Sequence, residues 1–209
     1  MEKKLIIFDV CGTLYDSNTT FDFIRFFRRD SIYIELLGWR PIKLLLVALG
    51  KVISLDIYRS LFIYSLKGIE RTTLIEAAND FYEHVLQYKK IDATHQLLER
   101  SKQQIGVDVL YCSASLDIIV QVISERLGGR YQASSLSFSP GGICSGFLSN
   151  DLLGKKDVSF KDMDIELTVT DNISDLALLK ISKNSFVLSK KKHISFWEKN
   201  GFTVDLVIK

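Results

Sequence analysis

Near the N-terminus the sequence reads Lys4-Leu5-Ile6-Ile7-Phe8-Asp9-Val10-Cys11-Gly12-Thr13-Leu14-Tyr15. A short apolar run bounded by turn residues is typical of a strand that is buried on both faces of a parallel sheet. Ligands of such sheets bind beyond the carboxyl ends of the strands. Asp9 therefore lies where chemistry is expected, and Gly12 lets the backbone approach a ligand closely. The carboxylate can act as a nucleophile or a metal ligand, and the alternative is an acid that caps a turn.

The composition is that of a globular chain with a substantial core and little overall charge. Its 209 residues suffice for one α/β domain, or for a core domain with an insertion. The net charge of +2 provides no global field for nucleic acid, so nucleic-acid binding is not expected. The 3 cysteines lack the spacing of a disulfide framework or a zinc site. The first strand is too short for a signal peptide, and we expect a cytoplasmic protein.

The order of predicted elements indicates an α/β fold. After the first strand, residues 18–104 are predicted to form a series of helices. Strands and helices then alternate, with strands predicted at 107–112, 133–138, 143–147, 165–170, 185–188 and 202–208. The second and third of these strands are predicted to form a hairpin. Alternation of this kind predicts a mostly parallel sheet with helices on both faces.

One apolar run, Ile42–Leu49, requires a test for a membrane span. Lys43 and Lys51 interrupt it, and its wholly apolar part is far shorter than the ~18 residues that a spanning helix needs. Basic residues nearby, such as Arg25 and Arg40, leave peripheral membrane contact as an alternative. The sequence favours packing of this helix in the core.

Polar side chains follow three of the predicted strands. They are Asp9, Ser113, Asp171 and Asp175, with Lys155 and Lys156 shortly before the 165–170 strand. Adjacent parallel strands bring such ends together at one edge of the sheet. A carboxylate that attacks phosphorus needs a divalent cation, and Mg²⁺ prefers carboxylate oxygens and water. Asp9 and Asp171 can share that ion, while Asp175 orients water or the lysine. Ser113 and a lysine can hold the phosphoryl oxygens as charge develops.

The order and spacing of these groups resemble the haloacid dehalogenase superfamily, most of whose members are Mg²⁺-dependent phosphatases. Its first motif, Asp-x-Asp-x-Thr, is matched by Asp9-Val10-Cys11-Gly12-Thr13 except at the third residue. Its Ser or Thr after a strand is matched by Ser113, and its Asp-x-x-x-Asp by residues 171–175. Its upstream lysine is matched by Lys156 or Lys155. The wording of the second and fourth motifs is similar to the phosphoserine-phosphatase-like branch, which carries a helical cap after the first motif.

The resemblance implies a three-layer, Rossmann-like α/β core with a parallel sheet, together with an all-helical cap. Residues 1–16 and 105–209 are expected to form the core, and residues 17–104 the cap. Because such a cap closes over the site, substrate specificity is expected in Asp16–Arg29 and around Arg40. The expected partner is a small phosphorylated substrate, with lipid-linked and sugar-related esters among the options.

The resemblance also assigns roles to individual residues. Mg²⁺ is the expected cofactor, and Asp9 the nucleophile that becomes an aspartyl-phosphate. The predicted catalytic residues are Asp9, Cys11, Ser113 and Lys156. The predicted substrate-binding residues are Gly12, Thr13, Ser113, Ala114 and Lys155. The predicted metal set is Asp9, Asp171, Asp175 and the backbone carbonyl of Cys11. Ser115 is expected to cap the following helix.

Cys11 departs from the family pattern, in which a second Asp is the general acid and base. Loss of that group should slow turnover by about 10²–10⁴-fold. A thiol can donate a proton, but it is a poor base at neutral pH. The first hypothesis is a phosphohydrolase or phosphotransferase with weakened acid–base catalysis. The second is a catalytically impaired relative that binds a phosphorylated ligand or a partner protein. The third, a dehalogenase, is disfavoured because Asp171 and Asp175 indicate a metal site.

Overall fold

The computed structural model describes residues 4–161 and 163–208, which contain a seven-stranded sheet. Residues 1–3 and 209, at the ends of the predicted core domain, lie outside the described residues. The strands are β1 (Lys4–Phe8), β2 (Val107–Leu116), β3 (Arg130–Phe138), β4 (Cys144–Asn150), β5 (Ile165–Thr170), β6 (Ser182–Lys190) and β7 (Leu206–Ile208). Their spatial order is β4-β3-β2-β1-β5-β6-β7. Among the described strands, β3 and β4 pair antiparallel, and all other neighbouring strands pair in parallel. The predicted mostly parallel α/β fold is confirmed.

β1 occupies the centre of the sheet because its sequence can be buried on both faces. Leu5 and Ile7 belong to one apolar cluster, whereas Ile6 and Phe8 belong to another. Side chains that alternate in this way point to opposite faces of a strand, so each face of the sheet has its own core. β1 pairs in parallel with β2 and β5, which brings the carboxyl ends of three strands to one edge.

The helices surround this sheet, and most of them follow β1. They are α1 (Thr19–Phe27), α2 (Ile32–Gly38), α3 (Arg40–Ile53), α4 (Ile57–Tyr64), α5 (Arg71–His84), α6 (Asp92–Lys102), α7 (Asp117–Leu127), α8 (Leu176–Lys180) and α9 (Ile194–Lys199). α1 to α6 occupy the segment predicted to be helical. One apolar cluster runs from β1 into these helices and includes Phe8, Phe23, Phe62 and Phe81. The inserted helices therefore share a core with the sheet.

Strand boundaries differ from the sequence prediction by four residues at β2 and β7, and by up to three at β3, β4 and β6. The prediction ends β2 at Cys112, but the strand continues to Leu116 because Leu116 still pairs with Ser134 beyond a bulge. β7 covers only the last part of its predicted range, since Phe202 instead packs edge-on against Trp197. The predicted hairpin is confirmed as the antiparallel pair β3 and β4.

The prediction that the apolar run 42–49 packs in the core is wrong for most of its side chains. This run lies in α3, whose inward face consists of Ile42, Leu46 and Gly50, each one helical turn from the next. Leu44, on the opposite face, is exposed. The core has room for one face of the helix, and the rest of its apolar surface is in contact with solvent. Within the described ranges, no helix is both long enough and apolar enough to cross a bilayer.

Candidate active site

Polar groups from three neighbouring strands meet at the edge where β1, β2 and β5 end. Asp9 follows β1, Ser113 lies near the end of β2, and Asp171 follows β5. Lys156 and Asp175 come from short 3₁₀ turns before and after β5. A cavity of about 150 Å³ has Asp9, Ser113 and Lys156 among its lining residues. The structure thus brings together residues from all four predicted motifs.

A buried lysine joins two carboxylates in this cluster. Lys156 Nζ donates to Asp9 Oδ1 at 2.8 Å and to Asp175 Oδ2 at 2.7 Å. Thr170 Oγ1 donates a further hydrogen bond to Asp175 Oδ2 at 2.8 Å. Burial alone lowers the pKa of a lysine, but the charges of Asp9 and Asp175 outweigh it and raise the pKa of Lys156 above its usual value. Lys156 therefore stays charged at neutral pH and holds the Asp9 carboxylate in one orientation.

Asp9 and Asp171 both resist ionisation in these surroundings. Burial, with some help from the charge of Asp175, raises the pKa of Asp9 to about 6 against the attraction of Lys156. Burial and the charge of Asp9 raise the pKa of Asp171 to about 7. When all three carboxyl groups ionise, a single lysine cannot neutralise them. A cation between Asp9 and Asp171 would relieve the repulsion.

The turn after β1 fits closely against Asp171. Gly12 has a φ of +73°, and a Cβ at this position would overlap the Asp171 carboxylate, so the approach requires glycine. Thr13 Oγ1 donates to Asp171 Oδ1 at 3.1 Å and accepts from the Asp171 backbone N–H at 3.0 Å. The Thr13 side chain is fully buried. Thr13 was predicted to bind substrate, but its hydroxyl is engaged in orienting Asp171.

Cys11 lies among hydroxyl groups. Its Sγ is 2.8 Å from Thr19 Oγ1 and 3.9 Å from Ser113 Oγ. Thr19 Oγ1 donates its own proton to Ser115 Oγ at 2.6 Å, which leaves it free to accept from the Cys11 thiol. Burial, and then the charge of Asp9, raise the pKa of the Cys11 thiol. The thiol is therefore protonated at neutral pH, and it can give a proton but not readily take one.

The donor set at this edge suits a hard cation. Among the described residues, no three side chains of His, Cys, Asp or Glu converge as a ready-made metal site. The predicted set includes Asp175, but Lys156 and Thr170 both donate to Asp175 Oδ2, which leaves Asp9, Asp171 and the backbone carbonyl of Cys11 as the ligands that would hold a cation. The crowding of carboxyl groups favours a cation, and Asp175 Oδ1 is buried with no hydrogen-bond partner in the part of the chain that is described. Carboxylate and carbonyl oxygens are the ligands that Mg²⁺ prefers, so these residues fit it.

The two candidate lysines and Ala114 occupy different positions. Ala114 lines the cavity, and its carbonyl oxygen accepts from Arg59 Nη2 at 2.6 Å. Lys155 is exposed, just before the turn that buries Lys156. Only Lys156 is therefore in contact with the carboxylates, and Lys155 does not reach them.

Thr19 and Arg59 reach the site although no motif contains them. α1 begins at Thr19 and has no side-chain cap bond, and Thr19 and Thr20 both contact Ser115. Because its hydroxyl is engaged there, Ser115 does not cap α7 as predicted. Arg59 is buried in α4 and lines the cavity. A single charge within the otherwise uncharged, largely apolar stretch 57–64 was the signal that could have identified it.

No protein-family model matches the sequence, and no curated protein matches it either. Solved structures do match. A protein of unknown function from Bordetella pertussis Tohama I has a TM-score of 0.76 at 13% identity, over 98% of both chains. A HAD family hydrolase from Salmonella enterica serovar Typhi has a TM-score of 0.67 at 14% identity, over 99% of this chain and 68% of that one. A substrate-bound phosphoserine phosphatase has a TM-score of 0.62 at 19% identity, over 98% of this chain and 94% of that one.

This chain has the haloacid dehalogenase fold. The likeness to the substrate-bound phosphoserine phosphatase covers almost the whole of both chains, which supports the phosphoserine-phosphatase-like form of that fold. The helices between β1 and β2 are included in the likeness, along with the sheet. The predicted resemblance to the haloacid dehalogenase superfamily is thus confirmed for the fold.

Proposed function

We propose that this protein is a Mg²⁺-dependent phosphohydrolase or phosphotransferase that forms an aspartyl-phosphate on Asp9. The observation that carries the proposal is the buried Lys156, which donates to both Asp9 and Asp175. A buried ammonium partner is not expected for an acid that only caps a turn. Ser113 adds a hydroxyl group to the same cavity. One similar structure is a phospho-aspartyl intermediate analogue of phosphoserine phosphatase, with a TM-score of 0.61, which supports this choice of intermediate.

The proposed reaction consists of two displacements at phosphorus. Ionised Asp9 attacks a phosphate monoester, the bond from phosphorus to the leaving oxygen breaks, and that oxygen takes a proton. Water, or an acceptor alcohol, then attacks the aspartyl-phosphate and releases Asp9. Lys156 and Ser113 donate to phosphoryl oxygens as their charge develops. Asp9, Asp171 and the Cys11 carbonyl would hold Mg²⁺, which would supply positive charge to offset the carboxylates and the phosphoryl group.

Cys11 affects the two steps unequally in this proposal. The first step needs a proton donor for the leaving oxygen, and the protonated thiol of Cys11 can serve. The second step needs a base for the attacking water. Because burial raises the pKa of Cys11, the thiolate left by the first step regains a proton from solvent as the product alcohol leaves. The thiol then offers no base, and the attacking water loses its proton to solvent. The aspartyl-phosphate on Asp9 should therefore persist longer than it would beside a carboxylate base.

The helices inserted after β1 supply the substrate-facing side of the site. We assign the inserted helices to the cap, and its last two members pack against the core, α5 against α7 and α6 along β2. Asn18, Phe21, Asp56 and Arg59 line the cavity beside Asp9, and we expect them to contact the leaving group of a small phosphorylated substrate.

The proposal is tested by trapping the phosphorylated state of Asp9. Beryllium fluoride mimics an acyl-bound phosphoryl group, so together with Mg²⁺ it should raise the melting temperature more than either component alone. Asp9→Asn should abolish this increase, because it removes the attacking oxygen. Lys155→Met, a change at the exposed neighbour of Lys156, should leave it intact. The absence of both the increase and any hydrolysis of phosphate esters would contradict the proposal.

A second candidate function is binding of a phosphorylated ligand without turnover. The observation that favours it is Cys11, which stands where the family has a second Asp. A protein without a general base can bind a phosphorylated ligand and release it unchanged. In that case no label should pass from a ³²P-labelled phosphate ester to Asp9, even in the Cys11→Asp variant. Transfer of label to wild-type protein, lost in Asp9→Asn, would instead identify an enzyme.

A further inference from the structure

α3 presents an apolar face that no other part of the described chain covers. Leu44, Ala48 and Val52 recur every four residues and are exposed, on the side of the helix opposite Leu46. Leu44 is 70% exposed and Val52 is 82% exposed. Single exposed apolar side chains are common, but a continuous stripe along a helix indicates an interaction surface. We call these three residues, together with the exposed Trp39, the α3 face.

The charged residues of α3 itself are all positive. Arg40, Lys43 and Lys51 are exposed along one flank of the helix. No acidic residue occurs in the sequence between Glu35 and Asp56. The segment therefore combines an apolar stripe with positive charge alone. Helices that lie in the plane of a membrane interface have this pattern, because apolar side chains enter the acyl boundary while basic side chains reach anionic headgroups.

Trp39 stands at the beginning of α3, where an interfacial helix benefits from an aromatic anchor. Its backbone is extended, with φ −67° and ψ 127°, and a proline follows within the first turn of the helix. Its side chain is exposed. Tryptophan is enriched at the headgroup level of bilayers because its ring is apolar at one end and can hydrogen-bond at the other.

We propose that the α3 face docks this protein on the surface of a bilayer that contains anionic lipid. A second copy of the chain is a poorer occupant, since a two-fold interface brings each patch against itself. Arg40, Lys43 and Lys51 of two copies would then face like charges, with no acid of the same stretch to pair with them. Anionic headgroups supply the opposite charge that this face lacks.

A cavity next to α3 adjoins the site. It has a volume of about 520 Å³, lies between α1, α3 and α4, and includes Arg25, Lys43 and Lys51 in its lining. Phe21 and Asp56 line both this cavity and the cavity at Asp9. The cavity lies on the inward side of α3, behind the α3 face, and docking does not depend on the proposed catalytic activity.

The test is flotation of the full chain with vesicles of phosphatidylcholine, prepared with and without phosphatidylglycerol. Wild-type protein should float with the anionic vesicles and release at high salt. The double variant Leu44→Glu with Val52→Glu should lose binding by about tenfold or more, since it removes apolar contact and adds negative charge. Arg40→Gln with Lys51→Gln should weaken binding by about fivefold per charge. Ile105→Glu is the matched control, because Ile105 is 97% exposed outside α3, and it should bind like wild type.

Each variant sits on the surface, so its melting temperature should match wild type and a folding defect can be recognised by circular dichroism. Failure of wild type to float with anionic vesicles would overturn the proposal. So would equal binding to neutral vesicles, or full binding by the Leu44→Glu, Val52→Glu variant. A wild-type dimer that the same variant converts to monomer, without vesicle binding, would assign the α3 face to a second copy instead.

Discussion

Cys11 places a thiol where proton transfer to and from the substrate is expected. Its Sγ is 2.8 Å from Thr19 Oγ1, so an aspartate at this position would lie beside a hydroxyl group that can turn its proton from Ser115 to the carboxylate. We predict that Cys11→Asp raises the turnover number for an aryl phosphate by about 10²-fold or more, because the second step gains a base. An aryl leaving group needs no proton, so steady-state rates with p-nitrophenyl phosphate report mainly on that second step.

Cys11→Ser is the matched control for this prediction. A serine keeps the size and the hydrogen-bonding ability of the cysteine, but it offers no base at neutral pH. Its turnover should stay within about threefold of wild type, well below the change expected of a general base. If Cys11→Asp and Cys11→Ser behave alike, the position does not limit the proposed reaction.

Lys156 is the residue on which the charge balance of the cluster depends. We predict that Lys156→Met lowers the free energy of unfolding by about 3–5 kcal/mol, since it leaves buried carboxylates without their partner. Adding Asp175→Asn should recover part of that loss, because one of the unpaired charges is then removed. Lys155→Met should have little effect, as Lys155 is exposed. Urea denaturation measures the free energy of unfolding of all three variants. Equal losses for Lys156→Met and Lys155→Met would contradict the assignment of Lys156 as the partner of the buried carboxylates.

At the scale of elements, a pair of hydroxyl groups joins α1 to the end of β2. Thr19 Oγ1 donates to Ser115 Oγ at 2.6 Å, and both groups are buried. Thr19→Val keeps the shape of the side chain but removes the donor, so it should lower the free energy of unfolding by about 1–3 kcal/mol. Thr73→Val, at an exposed position of α5, is the control and should change it little. If urea titrations give Thr19→Val and Thr73→Val the same free energy of unfolding, the bond between Thr19 and Ser115 does not contribute to stability.

Arg59 ties α4 to the sheet in a similar way. Arg59 Nη1 donates to both carboxylate oxygens of Asp151, at 2.9 and 2.8 Å, and Nη2 donates to the Ala114 carbonyl at 2.6 Å. The arginine thereby contacts the end of β2 and the segment after β4 at once. Because Arg59 also lines the cavity at Asp9, the position of α4 and the shape of the site are coupled.

At the scale of the whole molecule, the buried carboxyl groups make stability depend on pH. The pKa of Asp9 is about 6 and that of Asp171 about 7, whereas both are near 3.8 in an ordinary environment. At pH values between about 4 and about 7, Asp9 and Asp171 bind more protons in the folded protein than in the unfolded protein. The contribution of these two groups to the free energy of unfolding therefore falls as pH rises from about 4 to about 7.

Binding of Mg²⁺ should offset this loss of stability at higher pH. Near pH 8 both carboxyl groups are ionised, so a bound cation relieves their repulsion, whereas near pH 5 protons already do so. We predict that Mg²⁺ raises the melting temperature more at about pH 8 than at about pH 5. Asp171→Asn should remove most of this difference. An increase of equal size at both pH values would indicate that the ion binds elsewhere.

The sequence located Asp9, Ser113 and Asp171 because each follows or ends an apolar strand, which is a local pattern. The parallel order of those strands then required their ends to meet. Local patterns could not choose between Lys155 and Lys156, since both lie at a turn and only tertiary packing decides which of them is buried. The same limit applies to Thr13. Its hydroxyl donates to Asp171, which follows a strand distant in sequence, so local patterns could not show this contact.

α3 shows a different limit of prediction. Its apolar composition is evident in the sequence, but composition does not say how much surface the neighbouring elements can cover. Ile42 and Leu46 are partly buried against the core, and Leu44 between them is exposed. Whether an apolar helix is a core element or an interaction surface depends on its partners, which only the assembled fold reveals.

The central position of β1 also has a consequence for how the molecule folds. Its partners are Val107–Tyr111 on one side and Ile165–Val169 on the other, so both pairings join segments that are distant in the chain. During synthesis the apolar strand Leu5–Phe8 must wait for more than half of the chain before its first neighbour is available. Folding dominated by such distant pairings is slow and leaves apolar strands open to aggregation or chaperones. The proposed nucleophile thus stands at the end of a strand that is made before both of its neighbours.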